Sequence, residues 1–219
     1  MKREIKISED GSPTIYVEEL DEHYHSLFGA RTESEHIFIN AGLNYFQNKN
    51  IEQLNILEIG LGTGLNAYLS VQNMSDNSKI NYYAIEKYPL EKNEWESLNF
   101  INPRDRYPEV FQKIHETGWE EWTELIEGFY LLKNKADLKN FIPPASLHIV
   151  YFDAFAPDAQ PELWSSDIFS KLYDAMRAGG ILVTYSVKGF VKQNLRTSGF
   201  FIEKLKGPRG KRHMLRAIK

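Results

Sequence analysis

Four carboxylates and a run of glycines mark the places where this sequence could do chemistry. In EIGLGTGLN, Gly60, Gly62 and Gly64 alternate with apolar or small residues, Glu58 stands just ahead of them, and Asn66 closes the run. Glycine accepts positive φ and carries no Cβ, so a ligand can come close to the backbone. A helix that starts immediately afterwards offers its unpaired N–H groups to that ligand. Glu58 could meet a cationic or hydroxyl-rich partner. Glu86 follows about 20 residues later, where nucleotide sites set an acid against the two ribose hydroxyls. Asp153 comes directly after the apolar run LHIVYF and opens DAFAP. An acid at the end of a buried strand borders the crevice where open α/β sheets bind ligands. Asp137, in ADL beyond another short apolar run, could reach an adenine amino group.

The elements that must position these groups follow from periodicity. LNILEI reads as a buried strand and Leu65–Met74 as the helix after the glycine turn. Strands are expected at Ile80–Ile85, Phe129–Leu132, Leu147–Phe152 and Ile181–Tyr185, with helices at Pro89–Leu98, Ser166–Met176 and Gly189–Thr197. Gly179-Gly180 is expected to end the second of these helices. EIKIS and TIYVEEL flank Asp10-Gly11-Ser12-Pro13 as a hairpin, and a helix over Thr32–Phe46 takes Thr32 or Ser34 as its cap. Residues 100–127 read as an irregular helical region in which Trp119 and Trp122 form a packing face. FFIEKLKG and RHMLRAIK make a closing hairpin. Alternating strands and helices imply a mostly parallel sheet covered on both faces, with right-handed crossovers carrying Gly60–Gly64, Glu86 and Asp153 to one rim. Residues 1–50 read as an extension packed on a core domain of residues 51–219.

Composition narrows the function classes. The 219 residues carry no cysteine, which excludes disulfides and thiolate metal sites, and the six histidines lack ligand spacing, so no metal is expected. There is no apolar run of membrane-spanning length and the opening MKREIKISED has no signal-peptide core, so a cytoplasmic protein is expected. The net charge of −4 is unevenly distributed: from Lys188 onward ten basic residues face one acid, Glu203. This segregation suits an anionic partner, although a solvated surface with clustered charges would look the same. The glycine run is also ambiguous. From Gly62 it reads G-x-G-x-x-A, a dinucleotide fingerprint; from Glu58 it reads E-x-G-x-G-x-G, the first motif of S-adenosylmethionine (AdoMet) methyltransferases.

Longer motifs carry a resemblance. DEHYHS with GARTESEHIFINAGL, EIGLGTGLN, FDAFAPDAQPELW, AGGILVTYSVKGFV and GKRHML resemble, nearly end to end, the methyltransferase domain of MnmC-type tRNA-modification enzymes, including its stand-alone MnmD form. The resemblance implies a Rossmann-like class I AdoMet methyltransferase fold with a seven-stranded sheet. It implies AdoMet bound by Glu58, Gly60, Gly62, Gly64, Asn66, Glu86, Asp137 and Asp153. The implied reaction methylates the aminomethyl nitrogen of 5-aminomethyl-2-thiouridine at the wobble position of a tRNA anticodon loop. The bifunctional relatives add a FAD-dependent oxidase domain; methyl transfer alone, without FAD, is expected here. By motif position, Tyr24, Ser26, Glu33, Trp164, Tyr185 and Ser186 are substrate-pocket candidates, and Pro157 joins them by shaping the wall.

An alkylamine is mostly protonated at neutral pH, so such a site must favour its neutral form. Asp153 is the candidate to orient the amine and take its proton, and Phe155 to exclude water beside it. Lys188, Lys192, Lys206, Arg209, Lys211 and Arg212 would neutralise tRNA phosphates. Three other readings fit parts of the sequence. An aminopropyltransferase or small-amine methyltransferase would use the same fold, an NAD-dependent oxidoreductase the G-x-G-x-x-A run, and a non-catalytic tRNA-binding module the basic end.

Overall fold

The computed structural model describes residues 2–47, 49 and 51–219. β1 (Arg3–Ile7) and β2 (Pro13–Val17) form the expected hairpin, and a short β3 (Glu22–His23) adds to it antiparallel. The next helix begins at Ala30, before either expected cap. Its first turn is served instead by the hairpin, whose Ser12 Oγ accepts from the Ala30 N–H at 3.0 Å, while Thr32 donates its hydroxyl to Asp10. A distant partner thus replaces the local one. The helix continues as a π-helical stretch, Glu35–Leu43.

The main sheet comprises β4 (Gln53–Ile59), β5 (Lys79–Glu86), β6 (Trp122–Ile126), β7 (Phe129–Lys135), β8 (Leu147–Phe152), β9 (Met176–Thr184), β10 (Phe201–Lys206) and β11 (His213–Ile218). Its order is β10-β11-β9-β8-β4-β5-β7-β6, parallel from β9 to β7 and antiparallel at both margins. Successive side chains feed opposite faces, as strand geometry requires. Ile56, Tyr82 and Tyr151 join one core cluster with the helix Leu65–Asn73; Leu57, Val150 and Phe152 join another with Ser166–Ala175 and Gly189–Thr197. Every residue of β8 is buried, which explains its unbroken apolar run. No described helix is long and apolar enough to cross a membrane.

Among the described residues the sheet has eight strands, not seven. The additional one is β6, cut from the acid- and tryptophan-rich stretch expected to be helical. Only Val110–Glu116 is helical there. Trp119 and Trp122 make no common helix face: Trp122 packs edge-on to Tyr83 across the sheet, and Trp119 lies beneath the Lys133 ammonium. Pairing with the open edge of β7 outweighs the local pattern. The glycine pair also behaves differently. The helix ends at Ala175, and Gly179-Gly180 sit inside β9 in a bulge, where Gly179 N–H and Gly180 C=O bond to Lys219. The helix expected after Pro89 shrinks to Lys92–Trp95.

Register is what builds the site. Ile59 at the end of β4 pairs with Ile85 of β5 on one side and Phe152 of β8 on the other. The next residue on each of these three adjacent strands is Gly60, Glu86 or Asp153. One rim therefore collects all three.

Candidate active site

The glycine turn is held from both neighbouring strands. Gly60 and Leu61 N–H both donate to the Ile85 carbonyl, and Asp153 N–H donates to the Ile59 carbonyl. Gly60 and Gly62 have φ of +85° and +51°, conformations that side chains rarely adopt. A Cβ on Gly60 would lie 2.9 Å from the Asp153 carbonyl oxygen, and one on Gly62 would lie 2.8 Å from the Tyr24 ring. Glycine is needed at both positions for conformation and for space. Glu86 is aimed by the same turn, accepting from Gly62 N–H at 3.0 Å and from Tyr88 N–H at 2.8 Å.

Two adjoining cavities open at this rim. The larger, about 250 Å³, is bounded by Gly60–Thr63, Asn66, Glu86, Asp153 and Phe155 together with Tyr24, His25, Ser26, Glu33, Tyr185 and Lys211. The smaller, about 80 Å³, lies between Glu86, Lys87, Asp137, Leu138, Phe155 and Leu163. Gly60, Glu86, Ala154 and Phe155 border both. The Lys139 N–H, donating at 3.0 Å, and the Lys87 ammonium, paired at 2.9 Å, together hold the Asp137 carboxyl below the usual range.

Asp153 faces the larger cavity. The amide of Asn66 donates to Asp153 at 2.8 Å and, with the same nitrogen, to Glu58 at 2.9 Å. Burial pushes the Asp153 carboxyl up to about 7, against the opposing pull of the Asn66 hydrogen bond. Glu58 is fully buried behind the wall, where desolvation raises its pKa well above the usual range and Tyr82 donates to it at 2.9 Å. It therefore orients Asn66 from behind and borders neither cavity, contrary to expectation. The Asn66 Oδ1 atom is buried without a protein partner. An acceptor in the wall of a cavity is thus left free for a bound donor.

Several other expected residues also stand back from the cavities. Gly64 begins the helix against His115. Pro157 and Ser186 are buried and border neither cavity. Trp164 is entirely buried and donates its indole N–H to the Phe155 carbonyl at 2.9 Å, bracing the Asp153–Pro157 loop from behind. Lys211, expected among outward cations, points inward. It pairs with Glu33 at 2.5 Å and lies 4.3 Å from the centre of the Tyr185 ring. Lys188 pairs with Asp158 and Arg209 with Glu9, leaving Lys192, Lys206 and Arg212 as the members of that set with no ion pair among the described residues.

Two contributors had weak sequence signals. His25, in the polar HYHS cluster, bonds Thr63 Oγ1 at 2.6 Å, and burial lowers its pKa to about 4, so it is neutral. Leu138 closes the smaller cavity as one apolar residue in an ordinary turn.

A sequence model described as S-adenosyl-L-methionine-dependent methyltransferase matches residues 109–219. The chain belongs to this methyltransferase family. Membership decides between the two readings of the glycine run and removes the nicotinamide one; the cofactor is AdoMet. The residues suit it on structural grounds. The turn leaves backbone exposed where any Cβ would intrude, Glu86 presents a carboxylate suited to vicinal hydroxyls, and Asn66 Oδ1 lacks the donor that an ammonium would supply. The chain is similar to the tRNA 5-methylaminomethyl-2-thiouridine biosynthesis bifunctional protein MnmC of Pseudoalteromonas atlantica, 28% identical over 98% of this chain and 33% of that protein. The protein of that name from Leptospira interrogans is 29% identical over 90% of this chain and 32% of its own length. The chain thus spans about a third of the curated relatives it matches. The crystal structure of MnmC2 from Aquifex aeolicus shares the fold, with a TM-score of 0.82 over 99% of this chain and 70% of that one at 24% identity.

Proposed function

We propose that this methyltransferase methylates the aminomethyl nitrogen of 5-aminomethyl-2-thiouridine at the wobble position of tRNA, in a reaction that uses no FAD. The observation that carries this reading is Asp153. It is a carboxylate of raised pKa set where the glycine turn meets an aromatic-walled cavity, flanked by Tyr24, Phe155 and Tyr185. The names of the relatives supply the nucleoside.

Gly60 and Gly62 would seat the cofactor's amino-acid portion, Glu86 its ribose, and Asp137 with Leu138 its adenine. When bound, the cofactor supplies a methyl group on a sulfonium, and sulfur keeps the electron pair as nitrogen bonds to carbon. Asp153 orients the amine and accepts an N–H proton as the new bond forms. With a pKa near 7 it is a stronger base than an ordinary aspartate, yet still weaker than an alkylamine. Desolvation against the wall formed by the packed Tyr24 and Phe155 rings, whose centroids lie 5.1 Å apart, favours the neutral amine before transfer. Alignment of the two reactants contributes much of the acceleration. Lys192, Lys206 and Arg212 would meet tRNA phosphates, with Lys188 and Arg209 joining if their carboxylate partners exchange.

Incubating the purified protein with AdoMet and tRNA carrying aminomethyluridine, then analysing nucleosides by mass spectrometry, tests the proposal. A gain of one methyl on that nucleoside is expected. Methylation of free amines but not of tRNA would replace it with the small-amine reading, and tRNA binding without turnover would leave only a binding module.

A further inference from the structure

The Glu33–Lys211 pair lies in the wall of the larger cavity although its members are 178 residues apart. The Glu33 side chain is 12% exposed and that of Lys211 34%. Charges withdrawn from water in this way add little net stability, because desolvation offsets their attraction. Pinning the final hairpin to the N-terminal helix does not by itself call for a charged pair facing a ligand cavity.

Its hydrogen-bonding capacity suggests a use. Glu33 is fixed by Ser26 N–H, which donates to Oε2 at 3.0 Å while Lys211 Nζ donates to Oε1. Each carboxylate oxygen keeps acceptor capacity, and the ammonium keeps donors beyond the one given to Glu33. A cation and a carboxylate thus stand side by side, one offering hydrogens and the other accepting them. Tyr185 lies under the ammonium, and the Tyr24–Phe155 pair borders the same cavity.

We infer that Lys211 and Glu33 read the edge of the flipped acceptor base, with Lys211 donating to the 4-oxo group of uracil and Glu33 accepting from N3–H. This rests on the proposed tRNA activity. On uracil the 4-oxo group adjoins C5, so the edge that would be read enters the cavity together with the aminomethyl arm bound for Asp153. Cytosine presents the opposite order, a donor at position 4 and an acceptor at N3. Against a pair whose carboxylate is anchored by Ser26, it would set donor to donor and acceptor to acceptor. Flipped bases are commonly recognised through this edge, between aromatic side chains.

The test uses two short anticodon-loop RNAs, one carrying 5-aminomethyluridine and the other 5-aminomethylcytidine at the same position. Wild type should prefer the uridine in kcat/KM by roughly 100-fold, the scale of a bidentate base contact. Lys211→Met and Glu33→Gln should each cut kcat/KM on the uridine RNA by about 10-fold or more and shrink the preference to a few-fold. Calorimetric affinity for S-adenosylhomocysteine should stay unchanged in both, which confines the effect to the acceptor. A wild type indifferent to the two bases would overturn the inference, as would variants that lose thermal stability but keep the full preference, since the pair would then be a structural staple. Should wild type methylate neither RNA, the proposed activity fails first; turnover without discrimination counts against the base-reading pair alone.

Discussion

Asp153 carries the most consequential balance at the residue level. Its folded pKa, about 7, lies above the value of an exposed aspartate, so the folded cofactor-free protein holds a proton that the unfolded chain releases. Stability from this group is therefore intact at acidic pH, falls as pH rises above the ordinary aspartate range, and reaches its full deficit beyond about 7. Asp153→Asn should raise the melting temperature relative to wild type at pH 8 and change it little at pH 4, as thermal denaturation at the two values will show. The same substitution should reduce kcat by about 100-fold or more and abolish a rising limb of the pH–rate profile near 7. Equal melting shifts at both pH values would mean that the carboxyl is not held out of water. Lys133 tells a contrasting story: it is buried, its pKa falls to about 8, and its ammonium donates to the Ile114 and His115 carbonyls, a structural duty away from the cavity.

Among the elements, the loop after β8 depends on a side chain that never reaches the ligand. Trp164, from the short helical turn Pro161–Trp164, is buried against Phe152 and bonds the Phe155 carbonyl. Trp164→Phe keeps most of the packing but removes that bond. The expected cost is about 1 kcal/mol in chemical denaturation, with a fall in kcat/KM for the RNA that exceeds the change in S-adenosylhomocysteine affinity. The glycine turn is less forgiving. Gly60→Ala places a methyl against the Asp153 backbone at positive φ, and cofactor binding by calorimetry should drop by at least about 10-fold, with strain of roughly 1–3 kcal/mol.

For the whole molecule, the relevant quantities are linkage and charge. A ligand present at 100 times its Kd stabilises a protein by about 2.7 kcal/mol. S-adenosylhomocysteine at that level should therefore raise the melting temperature by several degrees, while NAD leaves it unchanged. The basic end carries a separate expectation. Three of the six cations assigned to phosphates are already engaged by Asp158, Glu9 and Glu33. Removing Lys192 and Arg212 together should reduce the salt dependence of RNA binding by a slope of about 2, whereas removing Arg209 should change it less. Measuring Kd across a salt series distinguishes these outcomes.

Sequence alone determined the features that depend on local chemistry. Alternating glycines specify a turn with open backbone, the unbroken apolar run LHIVYF specifies a strand covered on both faces, and right-handed crossovers send Gly60, Glu86 and Asp153 to one rim. Tertiary structure decided whatever depends on a partner remote in sequence. Trp122 joined a strand because β7 had an open edge, Ala30 began a helix because Ser12 received its N–H, and Glu58 withdrew behind Asn66 because Tyr82 and the core enclosed it. Lys211 faces inward against Glu33 and Tyr185, partners that only the folded chain brings beside it. The physical division is one of range: backbone conformation and periodicity are written within a few residues, whereas desolvation and pairing are set by neighbours that only the folded chain brings into contact.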